Sequence, residues 1–252
     1  MRALYLGACE PETTARHRAD AMRRVGIDVH HVDPMAACQQ RLQGLEGALH
    51  YRSGYLMLAS RVNRWLRELL ASLPRVDVVW VDSGELLAAP ALQTLRTLGV
   101  PVVLFNHDDP TGPRDRLRFM GLRTAIAHYD LCIAVRPENV AEYRAMGARE
   151  ALFHWRTFDE VQHRVQALTA PVPDRLRSDV AFIGTCQNGE GRDRMMLTLI
   201  EAGLDVAIWG DRWQRSPLWQ RIAPHWRGPA LSGQDYADAI RGAKLCLGIL
   251  AK

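Results

Sequence analysis

Residues 76–105 read VDVVWVDSGELLAAPALQTLRTLGVPVVLF. Val76–Val81 is a near-continuous apolar, β-prone run, the pattern of a strand buried on both faces. Leu86–Leu98 has helical spacing and stops at Gly99, and Pro101–Phe105 is again a buried-type strand. Strand, helix and strand in so short a span imply two parallel strands joined by a crossover.

The same alternation runs outward in both directions. Upstream, Arg2–Gly7 predicts a strand. Thr13–Val25 predicts a helix capped by Thr13 or Thr14, and Ile27–Val32 predicts a second strand closed by Asp33-Pro34. Residues 36–50, with poor periodicity and two glycines, predict a loop, and Ser53–Leu73 predicts a long helix. Its apolar face carries Leu56, Ala59, Val62, Leu66 and Leu69, while Arg61, Arg64 and Arg67 fall on a solvated face. Downstream the expected order is helix Pro113–His128, strand Leu131–Val135, helix Pro137–Met146 and strand Ala151–Phe153. Pro113 and Pro137 are each expected at the first helical position, where a missing N–H costs nothing. Five or six strands alternating with helices predict a parallel α/β sheet over residues 1–156.

Residues 157–178, with Pro171 and Pro173, read as a linker, and the pattern then restarts over 179–252. Val180–Gly184, Leu204–Trp209 and Leu245–Ile249 predict strands, with helices over Arg192–Ala202 and Tyr236–Arg241. The expected fold class is therefore α/β, two Rossmann-like parallel-sheet domains in series. About 75 residues after the linker cannot cover both faces of a parallel sheet as the first unit can, so the second domain is expected to be truncated, or else unusually reduced.

Of 252 residues, 48% are apolar and 24% charged, enough to build a core and too few charges for a disordered chain. The net charge is +4, and Lys244 and Lys252 are the only lysines, which reads as arginine-rich codon usage. No basic block is interleaved with aromatics, so nucleic acid is not an expected partner. The five cysteines, Cys9, Cys38, Cys132, Cys186 and Cys246, are far apart and lack a Cys-x-x-Cys pair. They read as buried reduced thiols. The opening MRALYLGACEPE is too short an apolar stretch for a signal peptide, and no run approaches a membrane span. A cytoplasmic location is expected.

Leu6-Gly7-Ala8-Cys9 has one of the three glycines of a dinucleotide fingerprint, although Asp33 mimics its ribose-binding acid. A nicotinamide or flavin site is not expected, and no cofactor is assigned; Gly7 still permits close approach to the sheet edge. Phe105-Asn106-His107-Asp108-Asp109-Pro110 leaves a buried strand at the sheet's carboxyl edge, where open α/β folds bind ligands. His107, Asp108 or Asp109 there can serve as a general base, or brace a turn or helix cap. Arg136, at the same edge, suits an anionic group or a salt bridge. Gly184–Arg192 (GTCQNGEGR) is a glycine-containing strand-to-helix loop able to seat a diphosphate on backbone amides, with Arg192 adding charge, but it is not a Walker loop. Four of seven tryptophans (Trp209, Trp213, Trp219, Trp226) fall within 18 residues, fit for stacking a ring or for packing. His30 and His31 point to opposite faces of a strand, so no metal site is assigned.

The segments VVWVD (78–82), FNHDDPTGPRD, YDLCIAVRPENVAEYRAMGA, DVAFIGTCQNGEGRDRMM, VAIWGDRW and IRGAKLCLGIL together resemble the GT-B glycosyltransferases of the spore-maturation-protein (CgeB-like) group. The family's next segment carries an Arg and a Glu that help hold the donor, and this chain stops before it, so it reads as a fragment and is expected to be inactive by itself. The resemblance implies transfer of a sugar from a nucleotide-diphosphate donor to an acceptor hydroxyl of a glycan, lipid or protein, without a divalent metal. It implies donor binding near Gly184, Thr185, Arg192 and Gly210, acceptor binding near Gly7 and Arg136, and closure of the two domains over the substrates. It points to bacterial cell-surface or protein glycan assembly. A nucleotide-sugar 2-epimerase and a non-catalytic nucleotide- or carbohydrate-binding protein are the alternatives.

Overall fold

The computed structural model describes residues 1–162, 171–187 and 189–249. The chain divides into two compact units, Met1–Asp159 and Glu160–Lys252. The first carries strands β1 (Arg2–Leu6), β2 (Asp28–Val32), β3 (Val78–Asp82), β4 (Val102–Asn106), β5 (Leu131–Ala134) and β6 (Ala151–Phe153), with helices α1 (Thr14–Arg24), α2 (Gly44–Arg52), α3 (Ala59–Ser72), α4 (Ala89–Arg96), α5 (Met120–Ala125) and α6 (Pro137–Ala145). Its six strands are all parallel, in the order β2-β1-β3-β4-β5-β6. The order reverses between β1 and β3, which makes the carboxyl ends of these two strands a topological switch point.

Side-chain alternation sorts the two faces of this sheet. Leu4, Leu6, Val79, Val81 and Leu104 face one core, against Val62 and Leu66 of α3 and Leu92 and Leu95 of α4. Tyr5 and Val29 face the other, with Ala15 and Ala19 of α1. β4, buried at every position, lies inside the sheet, as its unbroken apolar run requires.

Several elements differ from expectation for identifiable reasons. Residues 36–50 are not loop: Ala36–Arg41 is a 3₁₀ turn and Gly44–Arg52 is α2. Leu45 and Leu49 of α2 face solvent, so its apolar residues do not report a core-facing stripe. The helix expected from Ser53 starts at Ala59, because Gly54 and Tyr55 take left-handed backbone angles (φ 61° and 57°) that no α-helix accommodates. The helix after β3 begins at Ala89, where Pro90 occupies its first turn. Pro113 does not open a helix: 113–119 is a run of turns, and only Met120–Ala125 is α-helical. In those turns buried Asp115 binds Tyr51 and Arg114, and Arg118 binds Glu85. Pro137 does open α6.

The second unit holds β7 (Ser178–Ile183), α7 (Arg192–Glu201), β8 (Val206–Trp209), α8 (Trp219–Ile222), β9 (Trp226–Gly228), α9 (Gly233–Gly242) and β10 (Ala243–Cys246). Its parallel sheet has the order β10-β7-β8-β9, so it has four strands rather than three among the described residues. β9 is three residues long and too short to show a period. Its own cores gather Phe182, Met196, Ile208 and Trp213 on one face and Leu176, Ala207 and Ala239 on the other. β10 is an edge strand with Leu245 and Cys246 exposed, so Cys246 is not a buried thiol. Part of the expected linker, residues 163–170, lies outside the described residues. Among the described residues no helix is long and apolar enough to cross a membrane.

Candidate functional site

The carboxyl ends of β1 and β3 open into a cavity of about 380 Å³ over the switch point of the first unit. Gly7, Thr13, Asp82, Ser83, His107 and Arg118 line it with apolar neighbours such as Leu6, Met35 and Leu86. Gly7 is there because nothing larger fits: a Cβ would stand 2.9 Å from Asp82 Cβ and 2.9 Å from the Tyr5 ring. Thr13 caps α1, its hydroxyl accepting from the Arg16 amide at 3.3 Å.

Asp82, the last residue of β3, has a side chain only 2% exposed, so its charge must be met inside the protein. Tyr5 donates its hydroxyl to Asp82 Oδ2 at 2.5 Å, and Arg18 of α1 pairs with the same oxygen. Burial, and then the negative charge of Asp82, push the Tyr5 hydroxyl well above its usual range, which keeps it a donor. The other oxygen, Asp82 Oδ1, lies 3.6 Å from His107 Nδ1. His107 thus has a buried carboxylate near Nδ1, a nitrogen buried without a hydrogen-bond partner among the described residues, and a place on the cavity wall where an imidazole base can work.

Two loops hold His107 in place. Asn106, fully buried, donates to the Ser83 carbonyl at 2.9 Å and accepts from the Asp108 amide at 2.7 Å, tying the loop after β4 to the loop after β3. Arg156 donates to the His107 carbonyl at 2.7 Å. Ser83 has φ 67°, unusual for a non-glycine, and its hydroxyl is buried without a hydrogen-bond partner at the cavity wall.

The other residues singled out in this loop do different work. Asp108 lies 3.7 Å from Arg118 and does not line the cavity. Asp109 accepts from Asn139 at 3.0 Å, the Gly112 amide at 3.0 Å and Thr111 at 3.1 Å. Burial raises its pKa, but the bonds from Asn139, Thr111 and Gly112 outweigh burial and hold the carboxyl below its usual range. Asp109 is the brace of a turn, continued by Asn139 donating to Glu142 at 2.7 Å. Arg136 precedes α6 as its capping position and reaches Asp109 at 3.7 Å, away from the cavity lining. Asp33 does line the cavity, accepting from the Met35 amide at 2.8 Å.

In the second unit the backbone at Gly184 and Gly210 meets closely. A Cβ on Gly210 would collide with the Gly184 carbonyl, which also accepts from Trp213 Nε1 at 2.9 Å. Gly184 donates its amide to the Trp209 carbonyl at 2.8 Å. Arg192, 8% exposed, donates to the Thr185 carbonyl at 2.8 Å and pairs with Glu190 at 2.7 Å. Its guanidinium therefore shapes the 184–191 loop from inside. Gly191 caps α7 without a side chain, and in the first turn the Arg194 amide donates to Asp193 Oδ1 at 2.9 Å. Trp209 and Trp213 are buried, and Trp219 packs edge-on to Trp226 at 5.8 Å, so these rings serve packing. Asn188 lies outside the described residues. Among the described residues no group of three or more His, Cys, Asp or Glu is arranged to hold a metal ion.

Tyr5, Arg18, Asp82 and Ser83 are the site residues that sequence reasoning missed. Asp82 left a signal, an acid ending a buried-type strand; Tyr5 and Arg18 left none, because each looks like an ordinary strand or helix residue.

The structure is similar to that of a UDP-N-acetylglucosamine 2-epimerase from Rickettsia bellii, at 11% identity and a TM-score of 0.59, covering 98% of this chain and 73% of that one. An Anabaena protein solved with UDP and glucose is similar at 14% identity and a TM-score of 0.58, over 98% and 73% of the two chains. A sucrose-phosphate synthase from Thermosynechococcus elongatus is similar at 10% identity and a TM-score of 0.60, over 97% and 74%. At these identities the likeness is one of fold: Rossmann-like parallel α/β units in series. No curated protein matches the chain by sequence. The model of the glycosyl transferase 4-like domain matches residues 10–154, more than half of the chain and nearly all of the unit that holds the Asp82–His107 site. The chain belongs to the glycosyl transferase 4-like domain family.

Proposed function

We propose that the protein transfers a sugar from a nucleotide-diphosphate donor to an acceptor hydroxyl bound in the cavity of the first unit, with His107 as general base. The observation that carries this reading is the 3.6 Å approach of His107 to buried Asp82 at the wall of a cavity over the switch point. In the transfer step the acceptor O–H gives its proton to His107 Nε2 while its oxygen bonds to the anomeric carbon. The bond from that carbon to the diphosphate breaks, and its electron pair leaves with the nucleoside diphosphate. Asp82 balances the imidazolium that forms, and Tyr5 and Arg18 hold Asp82 in place. Gly7 keeps the floor of the cavity open. Asp108, Asp109 and Arg136 act by holding the His107 loop. On the donor side the Gly184–Thr185 backbone takes the diphosphate, with Gly210 allowing the close approach and Arg192 keeping the loop in shape. Membership of the spore-maturation-protein (CgeB-like) group, and work on cell-surface or protein glycans, are the narrower reading that the sequence segments support.

The test is turnover of UDP-sugars, UDP being the nucleotide held by the Anabaena relative, with and without simple glycoside acceptors. Acceptor-dependent UDP release that falls roughly 10²–10⁴-fold in His107→Gln, with UDP binding by calorimetry unchanged, is the expected result. Sugar inversion without an acceptor would assign the protein to the epimerases instead. Wild-type transfer by His107→Gln would remove the base.

A further inference from the structure

Asp33, Asp82 and Glu85 are the carboxylates that line the cavity of the first unit. Two of them are matched by guanidiniums. Arg18 pairs with Asp82, and Arg118 donates to Glu85 from two nitrogens. Asp33 has no ion-pair partner among the described residues; it accepts from the Met35 amide at 2.8 Å and, more weakly, from the Ala36 amide. An ionised carboxylate offers about four acceptor sites, so about two are left for a ligand. In parallel α/β units an acid after the second strand takes a sugar hydroxyl.

The sheet register fixes where Asp33 stands. Leu6 of β1 is level with Val32 of β2 and with Val81 of β3. The next residues, Asp33, Gly7 and Asp82, therefore lie side by side at the carboxyl edge with Gly7 in the middle. Two strand spacings separate Asp33 from Asp82, about 10 Å at roughly 4.8 Å each. His107 approaches Asp82 to 3.6 Å, at the far end of that span. One sugar ring with a hydrogen bond of about 2.8 Å at each end fills such a gap. Met35, Leu86 and Leu87 give the cavity the apolar wall that the C–H face of a ring needs. Arg118 is spent on Glu85, so an anionic head group would meet the Asp33 charge with no guanidinium of the lining to answer it.

We infer that the acceptor is itself a carbohydrate, which Asp33 selects by accepting hydrogen bonds from two hydroxyls on adjacent ring carbons while a hydroxyl across the ring meets His107. The inference rests on the cavity being the acceptor site. Asp33 is then a specificity residue and takes no part in the proton transfer.

Saturation-transfer NMR of the full chain with methyl glucoside, galactoside and mannoside, each beside its 3-deoxy counterpart, reads the site without turnover. Removing the 3-hydroxyl leaves no two hydroxyls on adjacent carbons. At least one parent glycoside should bind, and loss of its 3-hydroxyl should weaken it about tenfold or more. Asp33→Asn should weaken the parent by a similar factor and bind parent and 3-deoxy sugar alike. Asparagine keeps an oxygen for the Met35 amide, so the thermal melt should match wild type. In acceptor-dependent UDP release, KM for the glycoside should rise in Asp33→Asn with kcat little changed. Wild-type protein that binds none of the parents overturns the inference, as does an Asp33→Asn variant that still prefers the parent over its 3-deoxy form. Asp33-dependent glycoside binding without any transfer from UDP-sugars would keep the sugar site and remove the transferase reading instead.

Discussion

Asp82 and Asp109 stand at the carboxyl edge of the same sheet, and their neighbours give them different work. Asp82 is sealed under Tyr5 and Arg18 with one oxygen turned to His107, so its charge acts on the cavity. Asp109 spends its oxygens on Asn139, Thr111 and Gly112 and so serves the turn that carries His107. Its carboxyl is held below the usual range, so the folded state binds its proton less readily than the unfolded chain does. The resulting stability is complete above the ordinary carboxylate range and is lost as pH falls through the depressed folded value. Asp109→Asn should therefore be less stable than wild type at neutral pH, by about 1 kcal/mol for a partly exposed carboxylate. Denaturation across pH should show the gap closing below about pH 4. A gap that persists at acid pH would mean that the charge is not what braces the turn.

Strands and crossovers were legible at the level of elements because a parallel sheet needs short apolar runs rich in β-branched residues, such as Val102–Phe105. The rim of that sheet was half legible. His107 followed from its place after a buried strand, whereas its partner on the neighbouring strand is brought near only by the β3–β4 and β1–β3 pairing. Helix limits failed where backbone conformation outweighed side-chain period, as at Gly54 and Tyr55. Arg192, expected from its place after a glycine loop to add charge at a donor site, turns its guanidinium to the Thr185 carbonyl and Glu190. Arg192 and Glu190 are each 9% exposed at the side chain. Arg192→Ala would remove the ion pair to Glu190 and the bond to the Thr185 carbonyl, at a cost of roughly 1.5–3 kcal/mol. Denaturant unfolding followed by tryptophan fluorescence checks this, since four tryptophans lie in the second unit. An unchanged midpoint would return Arg192 to direct contact with a ligand.

Across the whole molecule, two units each build their own parallel sheet and their own cores, and each leaves a glycine-bearing loop at a strand's carboxyl end. The family match falls on the first unit, which is also the unit with the cavity-lining imidazole. The central claim is that His107, backed by Asp82, takes the acceptor's proton, and the direct measurement is the rate of sugar transfer by Asp82→Asn beside His107→Gln. Without the carboxylate nothing balances the imidazolium formed in the step, so kcat should fall about 10²-fold or more in each variant. Nucleotide binding should stay as in wild type. An Asp82→Asn variant with the wild-type rate would contradict the account and leave the Asp82–His107 pair without a role in the transfer.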